Sequence, residues 1–339
     1  MGNGPTSKRH HHVPQFYLKG FAESEQISTV RLPGEHRYTN SVRKTAAENG
    51  FYAVPGHPDG ADAFEKILSN VEGRTAGIFS TIEAGEWPLS PSDRADLAYF
   101  IALQVTRGPE QRRNMDQLAA TMTRLEIGYG GKANVKAWAR REHGVDLSDA
   151  EADELWEQAT QPGGPPIKHT ALAHIEQMME LVDTIHPSLT FRPWTLVRFS
   201  EESLITSDTP VVLVARESDG PYMGVGFMTA RNILYPLTRK LGLVMGDPEM
   251  AIDLGIPVEL VRSSRFDTAM PGDTEIAEMF NTYIAGRASL TLFHHPKDGR
   301  FVPERLPEPR PVTMGMSGAQ HEFTGEPLCE APDSREAKD

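Results

Sequence analysis

The sequence predicts an α+β protein: a largely helical layer at about residues 60–187, packed on a mostly antiparallel sheet at about residues 189–294 that N-terminal strands join. Three observations lead there. Apolar residues recur at three- and four-residue spacing through the middle of the chain, the mark of helices with one buried face. From residue 189 the pattern changes to short alternating runs separated by Gly, Pro and Asp, as in strands joined by turns. Helical and strand-like stretches fall in separate blocks, which suits segregated layers better than a regular βαβ alternation.

The chain's first patterned stretch is "HHHVPQFYLKGF", residues 10–21. Pro14 has the fixed φ of a first helical turn, and Phe16, Tyr17, Leu18 and Phe21 supply an apolar face before and beyond Gly20. The histidines run straight into this helix without the spacer of a purification tag, which speaks for a native element. "ISTVRL" and "FYAV" read as short strands, with Asn49 and Gly50 as turn residues between segments. A helix follows, its stripe made by Phe64, Ile67, Leu68, Val71, Ile78, Phe79 and Ile82. The next has Ser90 as its cap, Pro91 in its first turn and Leu97, Phe100, Ile101, Gln104 and Val105 along one face, until Gly108 and Pro109 stop it. Helical patterns continue through Met115, Leu118, Met122 and Leu125, after a capping box formed by Ser148 and Glu151, and through Leu172, Ile175, Met179, Val182 and Ile185. Strand-like runs then come in order: "LTFRPWTLVRFS", "LIT", "PVVLVA", "NILYPL", "LGLVM" and "SLTLF", with one helix at about residues 275–287 before the last of them. The expected organisation is a single α+β domain over residues 10–302, with its helical part at 60–187 and its sheet part at 188–302. Residues 1–9 are expected to be flexible, and residues 303–339, rich in Pro, Glu and Gly, a disordered tail.

Composition narrows the function. A net charge of −13 over 339 residues gives no general nucleic-acid-binding surface and no grip on anionic membrane, both of which need clustered Lys and Arg. The single cysteine, Cys329, rules out an intramolecular disulfide and a site of several thiolates, and it suits the cytoplasm. No apolar run is long enough to span a bilayer, and no signal-peptide h-region is evident, so no membrane partner is expected. The P-loop, G-x-G-x-x-G, H-E-x-x-H and EF-hand patterns are all missing, which removes support for nucleotide cofactors and the common metalloprotease plan.

Three stretches together, "HHHVPQFYLKGF", "LITSDTPVV" at residues 204–212 and "FNTYIAGRASLTLF", carry a resemblance to domain-of-unknown-function family 4238, whose members open with an HHxVPxxYLxxF-like motif and carry a later SDxPV motif. The likeness covers residues 10 to about 294. It implies no assigned activity, so function is argued from the residues.

His11 and His12 offer imidazole nitrogens for proton transfer or for a metal, although adjacent positions diverge and at most one or two of the three histidines can share a site. The alternative is a histidine bonded to backbone, locking the opening helix to the sheet. Pro210 holds Thr209 extended, which puts Asp208 at a turn-like strand end: a general base or metal ligand, or an Asx turn that takes backbone N–H groups. Arg107 lies three residues from Gln104 on the Phe100 face and needs a partner such as Glu65 or Asp208, or an anionic substrate. His294 and His295 end the last strand and are read as solvent residues.

The leading expectation is a hydrolase that cleaves a phosphoester of nucleic acid or a nucleotide. His11, His12, Asp208 and Arg107 are its candidate catalytic residues, and Gln15, Gln104, Ser207 and Asn281 would contact substrate. A divalent metal on His11, His12 and Asp208 would leave open positions for water. The rival is a non-catalytic binding or interaction module in which the same residues form a structural polar network. Side chains converging on a solvent-reachable pocket favour the enzyme; side chains spent on backbone favour the module.

Overall fold

The computed structural model describes residues 9–217, 220, 224–312 and 322–327. The segments expected to be flexible, 1–9 and 303–339, lie outside the described residues except for Arg9, 303–312 and 322–327. The chain divides into two compact units, one built from residues up to 111 with 171–311, the other from 112–170 with the described residues beyond 311.

The first unit opens with β1 (Arg9–His11), α1 (Gln15–Lys19), β2 (Gln26–Arg31), β3 (His36–Ser41) and β4 (Ala47–Asn49), then α2 (Ala63–Glu83) and α3 (Pro91–Thr106). Helix α4 (Pro109–Gly130) contains the boundary, and α5 (Val135–His143) and α6 (Asp149–Thr160) belong to the second unit. The first unit resumes with α7 (Ala171–Thr190), β5 (Trp194–Arg198), β6 (Thr206–Ser207), β7 (Val212–Val214), β8 (Asn232–Thr238) and β9 (Leu241–Met245). It ends with α8 (Pro248–Asp253), α9 (Val258–Arg262), β10 (Thr268–Pro271), α10 (Thr274–Arg287) and β11 (Thr291–His294). Helices α2 to α7 therefore fill the stretch where the helical layer is expected, and the α+β class holds. Among the described residues no helix is long and apolar enough to cross a membrane.

Strands form a β1–β4 pair, a five-stranded sheet in the order β10-β5-β9-β8-β7 and a four-stranded sheet in the order β3-β2-β11-β6. Among the named strands every pairing is antiparallel except β10 with β5. The four-stranded sheet joins the ends of the chain, with Val30 opposite Leu292.

The core of the first unit is assembled around α1. Tyr17, Leu18 and Phe21 are fully buried. Phe16 packs on Phe79 of α2 and Phe100 of α3 at 5.5 and 5.3 Å, while the Tyr17 ring stacks on Tyr235 of β8 at 5.4 Å. The Tyr17 hydroxyl donates to the Pro236 carbonyl at 2.7 Å, so the one polar atom of this side chain is satisfied inside the core. Helix α3 begins as the sequence predicts, with the Ser90 hydroxyl accepting from the Asp93 N–H and Pro91 in the first turn. The second unit has its own small core of Ile127, Val135, Ala152, Trp156 and Ala159, and α6 carries the complete Ser148 and Glu151 capping box.

Two expectations need correction. "FYAV" is no strand: Gly50 turns the chain at φ 66°, and Phe51 and Tyr52 are buried by packing edge to face on each other, with Tyr52 also against Phe64, rather than by sheet alternation. His294 and His295 are not solvent residues; both are buried, the first holding the backbone carbonyl of the second at 2.8 Å and the second accepting the Lys297 N–H.

Candidate functional site

The opening histidines are tied down by β1, which pairs with β4 so that His10 lies opposite Glu48 and His11 opposite Ala47. Alternation sends the two rings to different sides. His10 is fully buried: its Nδ1 accepts the Tyr52 N–H at 2.8 Å, its ring stacks on Tyr52, and Nε2 lies 3.8 Å from Asp62 Oδ1. His11 is also buried, and its Nε2–H donates to the Arg43 carbonyl at 3.2 Å. Burial lowers the His11 pKa, only partly offset by that carbonyl and by Glu72, so the ring is neutral at pH 7. His12 is half-buried, with its backbone N–H on the Ala46 carbonyl, and Gln15 is a half-buried first residue of α1.

Arg107 caps the C-terminus of α3 and is buried. Its Nη2 donates to the His11 carbonyl at 2.7 Å and its Nη1 to Glu72 Oε1 at 2.8 Å, while its own carbonyl accepts the Tyr52 hydroxyl at 2.6 Å. The partner the sequence suggested, Glu65 or Asp208, is therefore Glu72, two turns further along α2 than Glu65. The guanidinium remains charged, since these groups oppose the cost of burial.

The residues after Arg107 meet the second motif. A Cβ added at Gly108 would stand 4.0 Å from the Asp208 carbonyl, so the backbone after Arg107 runs close to the second motif. Glu110 is buried and takes Arg287 Nη1 on both oxygens, at 2.9 and 3.1 Å. Asp208 itself accepts the Ser289 N–H on Oδ1 at 2.9 Å and the Leu290 N–H on Oδ2 at 2.8 Å, and its backbone N–H reaches the Thr291 carbonyl. Burial pushes its carboxyl up to about 6, with Glu110 adding to the rise and the amides opposing it. Ser207 Oγ accepts the Thr209 N–H, and the Thr209 hydroxyl donates to the Arg287 carbonyl. Arg107 thus holds the first motif while Gly108 and Glu110 flank the second, and one helix corner gathers both.

Asn281 stands elsewhere: its Oδ1 accepts the Ile205 N–H at 2.9 Å and its Nδ2 donates to the Ser203 carbonyl at 3.0 Å, the two bonds a paired strand would make. Gln104, one turn before Arg107, is buried with no hydrogen-bond partner on either amide atom among the described residues.

The sequence reading gave Glu65 no role of its own. Asp62, Glu65 and Glu72 line one side of α2 and its entry, and all three are half-buried. Burial drives the Glu65 carboxyl up to about 7, against the pull of Arg107 and with help from Glu72 and Asp62, while its Oε2 is buried without a partner among the described residues. The signal was available: acids at spacings of three and seven share a helix face, and like charges that close raise each other's pKa. Among the described residues no three His, Cys, Asp or Glu side chains form a group able to hold a metal ion. Of the expected ligands, His11 directs Nε2 to Arg43 and Asp208 directs both oxygens to amides.

Fold and site define an α+β protein whose two polar motifs are fastened to backbone around the corner between α3 and α4, beside a carboxyl that titrates near neutrality. The chain belongs to the family described as Protein of unknown function (DUF4238), which matches residues 9–298. No curated protein and no solved structure matches it.

Proposed function

We propose that the chain is a binding module of the cytoplasm whose two motifs are a structural network rather than a catalytic centre. One observation carries this reading: both carboxylate oxygens of Asp208 accept backbone amides of the segment leading into β11. His11, Arg107 and Asn281 follow the same rule, each bonded to backbone of a distant segment. Such groups, once satisfied, fix a unique arrangement, and losing one member exposes the desolvation cost of the rest. The test is Asp208→Asn, which preserves shape but sets an NH2 donor against one of the two amide donors. Urea unfolding is expected to show a loss of about 1–3 kcal/mol; a change under about 1 kcal/mol would overturn the structural reading.

A second reading, a hydrolase, is favoured by Glu65. A carboxyl near 7 with a buried, partnerless oxygen beside a cation suits general acid–base catalysis. For a phosphoester substrate the support is weaker: both Arg107 terminal nitrogens are engaged, and three carboxylates surround the place where phosphate charge would gather. A divalent metal would need ligands other than the Asp208 oxygens.

A further inference from the structure

A cavity of about 250 Å³ lies in the first unit, between the loop at residues 54–62, the first turns of α2 and the start of α7. The loop is closed by the Val54 N–H on the Ala61 carbonyl and turned at Gly56 and Gly60, both at positive φ, where a side chain would be strained. Its walls are aliphatic and aromatic: Val54, Ala61, Phe64, Ile67, Leu172 and Ile175. Ile67 and Leu172 are 55% and 46% exposed, so part of the apolar lining faces solvent and is open to a ligand. Three polar residues also line it, and they differ in kind. Asp59 is an exposed carboxylate and Lys66 an exposed ammonium; neither makes an ion pair among the described residues. His57 accepts the Asp59 N–H on Nδ1 at 3.2 Å, so its Nε2 carries the proton and is a donor.

We infer that this cavity binds a free α-amino acid with an apolar side chain of about leucine size. The side chain fills the apolar walls, the ammonium meets Asp59, and the carboxylate meets Lys66 with the His57 Nε2–H beside it. An apolar chamber with a few polar groups in its lining is the general form of a small-ligand site, and opposite charges left unpaired among the residues lining one cavity match a zwitterion better than an ion of either sign. The inference extends the binding-module reading by naming a ligand. Its readout is separate from the unfolding of Asp208→Asn, so either can fail alone.

Methyl NMR of the full chain, labelled at Ile, Leu and Val, is titrated with leucine, with 4-methylpentanoate, which lacks the ammonium, and with 3-methylbutylamine, which lacks the carboxylate. Leucine is expected to shift the Val54, Ile67, Leu172 and Ile175 methyls, with each analogue about two- to fivefold weaker, as exposed ion pairs dictate. Ala61→Leu, which fills the cavity, abolishes the shifts; Asp59→Asn with Lys66→Gln, both on exposed side chains, removes both ion pairs and weakens leucine more than loss of either charge from the ligand does, while leaving the thermal midpoint unchanged. No shift at saturating leucine, equal affinity for all three compounds, or full binding by the paired surface variant would overturn the inference.

Discussion

Replacing Glu65 by Gln isolates the energetic role of the α2 carboxyl. Burial raises this group from its ordinary 4.5 to about 7, because removing the charge from water costs more than Arg107 returns. A carboxyl that holds its proton more tightly when folded stabilises the fold fully below about pH 4.5, and that contribution is lost as pH rises to about 7. The whole rise corresponds to about 3 kcal/mol. Glu65 is only half-buried, however, and solvent screening reduces the figure to about 1–2 kcal/mol. Gln is neutral at every pH and nearly isosteric. Glu65→Gln is therefore expected to match the parent near pH 5 and to exceed it by about 1–2 kcal/mol at pH 8, as read by urea unfolding followed by circular dichroism across that range. A variant no more stable than the parent at pH 8, with a difference that stays flat from pH 5, would refute the assignment of a raised carboxyl.

Two further outcomes follow from the same network. Arg107→Leu leaves Glu72 and the His11 carbonyl without their shared donor and is expected to cost about 3 kcal/mol or more in urea unfolding; a loss under about 1 kcal/mol would show the corner to be held by other contacts. Deleting residues 1–22 removes Val13, Tyr17, Leu18 and Phe21, each contributing roughly 1.5–3 kcal/mol by burial, and is expected to abolish the near-ultraviolet dichroism of packed aromatics. A deletion variant with an unchanged thermal midpoint would place α1 outside the core.

Much of this fold was legible in local pattern. The α3 start was written in Ser90 and Pro91, the α6 start in Ser148 and Glu151, and the strands β8, β9 and β11 in dense apolar runs. Strand β3 escaped notice because "HRYTNS" has no apolar alternation, being an exposed edge strand held by backbone bonds to β2. Strand β10 escaped for a like reason: all four residues are exposed, and its pairing with β5 is a long-range choice no local pattern encodes. In the site, the sequence marked residues that the fold bonds to backbone of distant segments, His11, Arg107, Asp208 and Asn281, because unusual polar residues in apolar surroundings stand out in any reading. It did not reveal what they do. An imidazole on a carbonyl and an imidazole on a substrate have the same letter, and the difference lies in which distant backbone arrives beside it.

Strand order also sets a timetable for synthesis. Strand β2 finds β3 at once, but its other edge must wait for β11, which emerges about 260 residues later, on the order of 10–50 s at ribosomal rates. Through that interval the nascent chain presents an open strand edge, the kind of surface that recruits neighbouring chains into aggregates. The two amides that Asp208 accepts lie just ahead of β11, so these bonds can form only once that strand has emerged and the sheet can be completed.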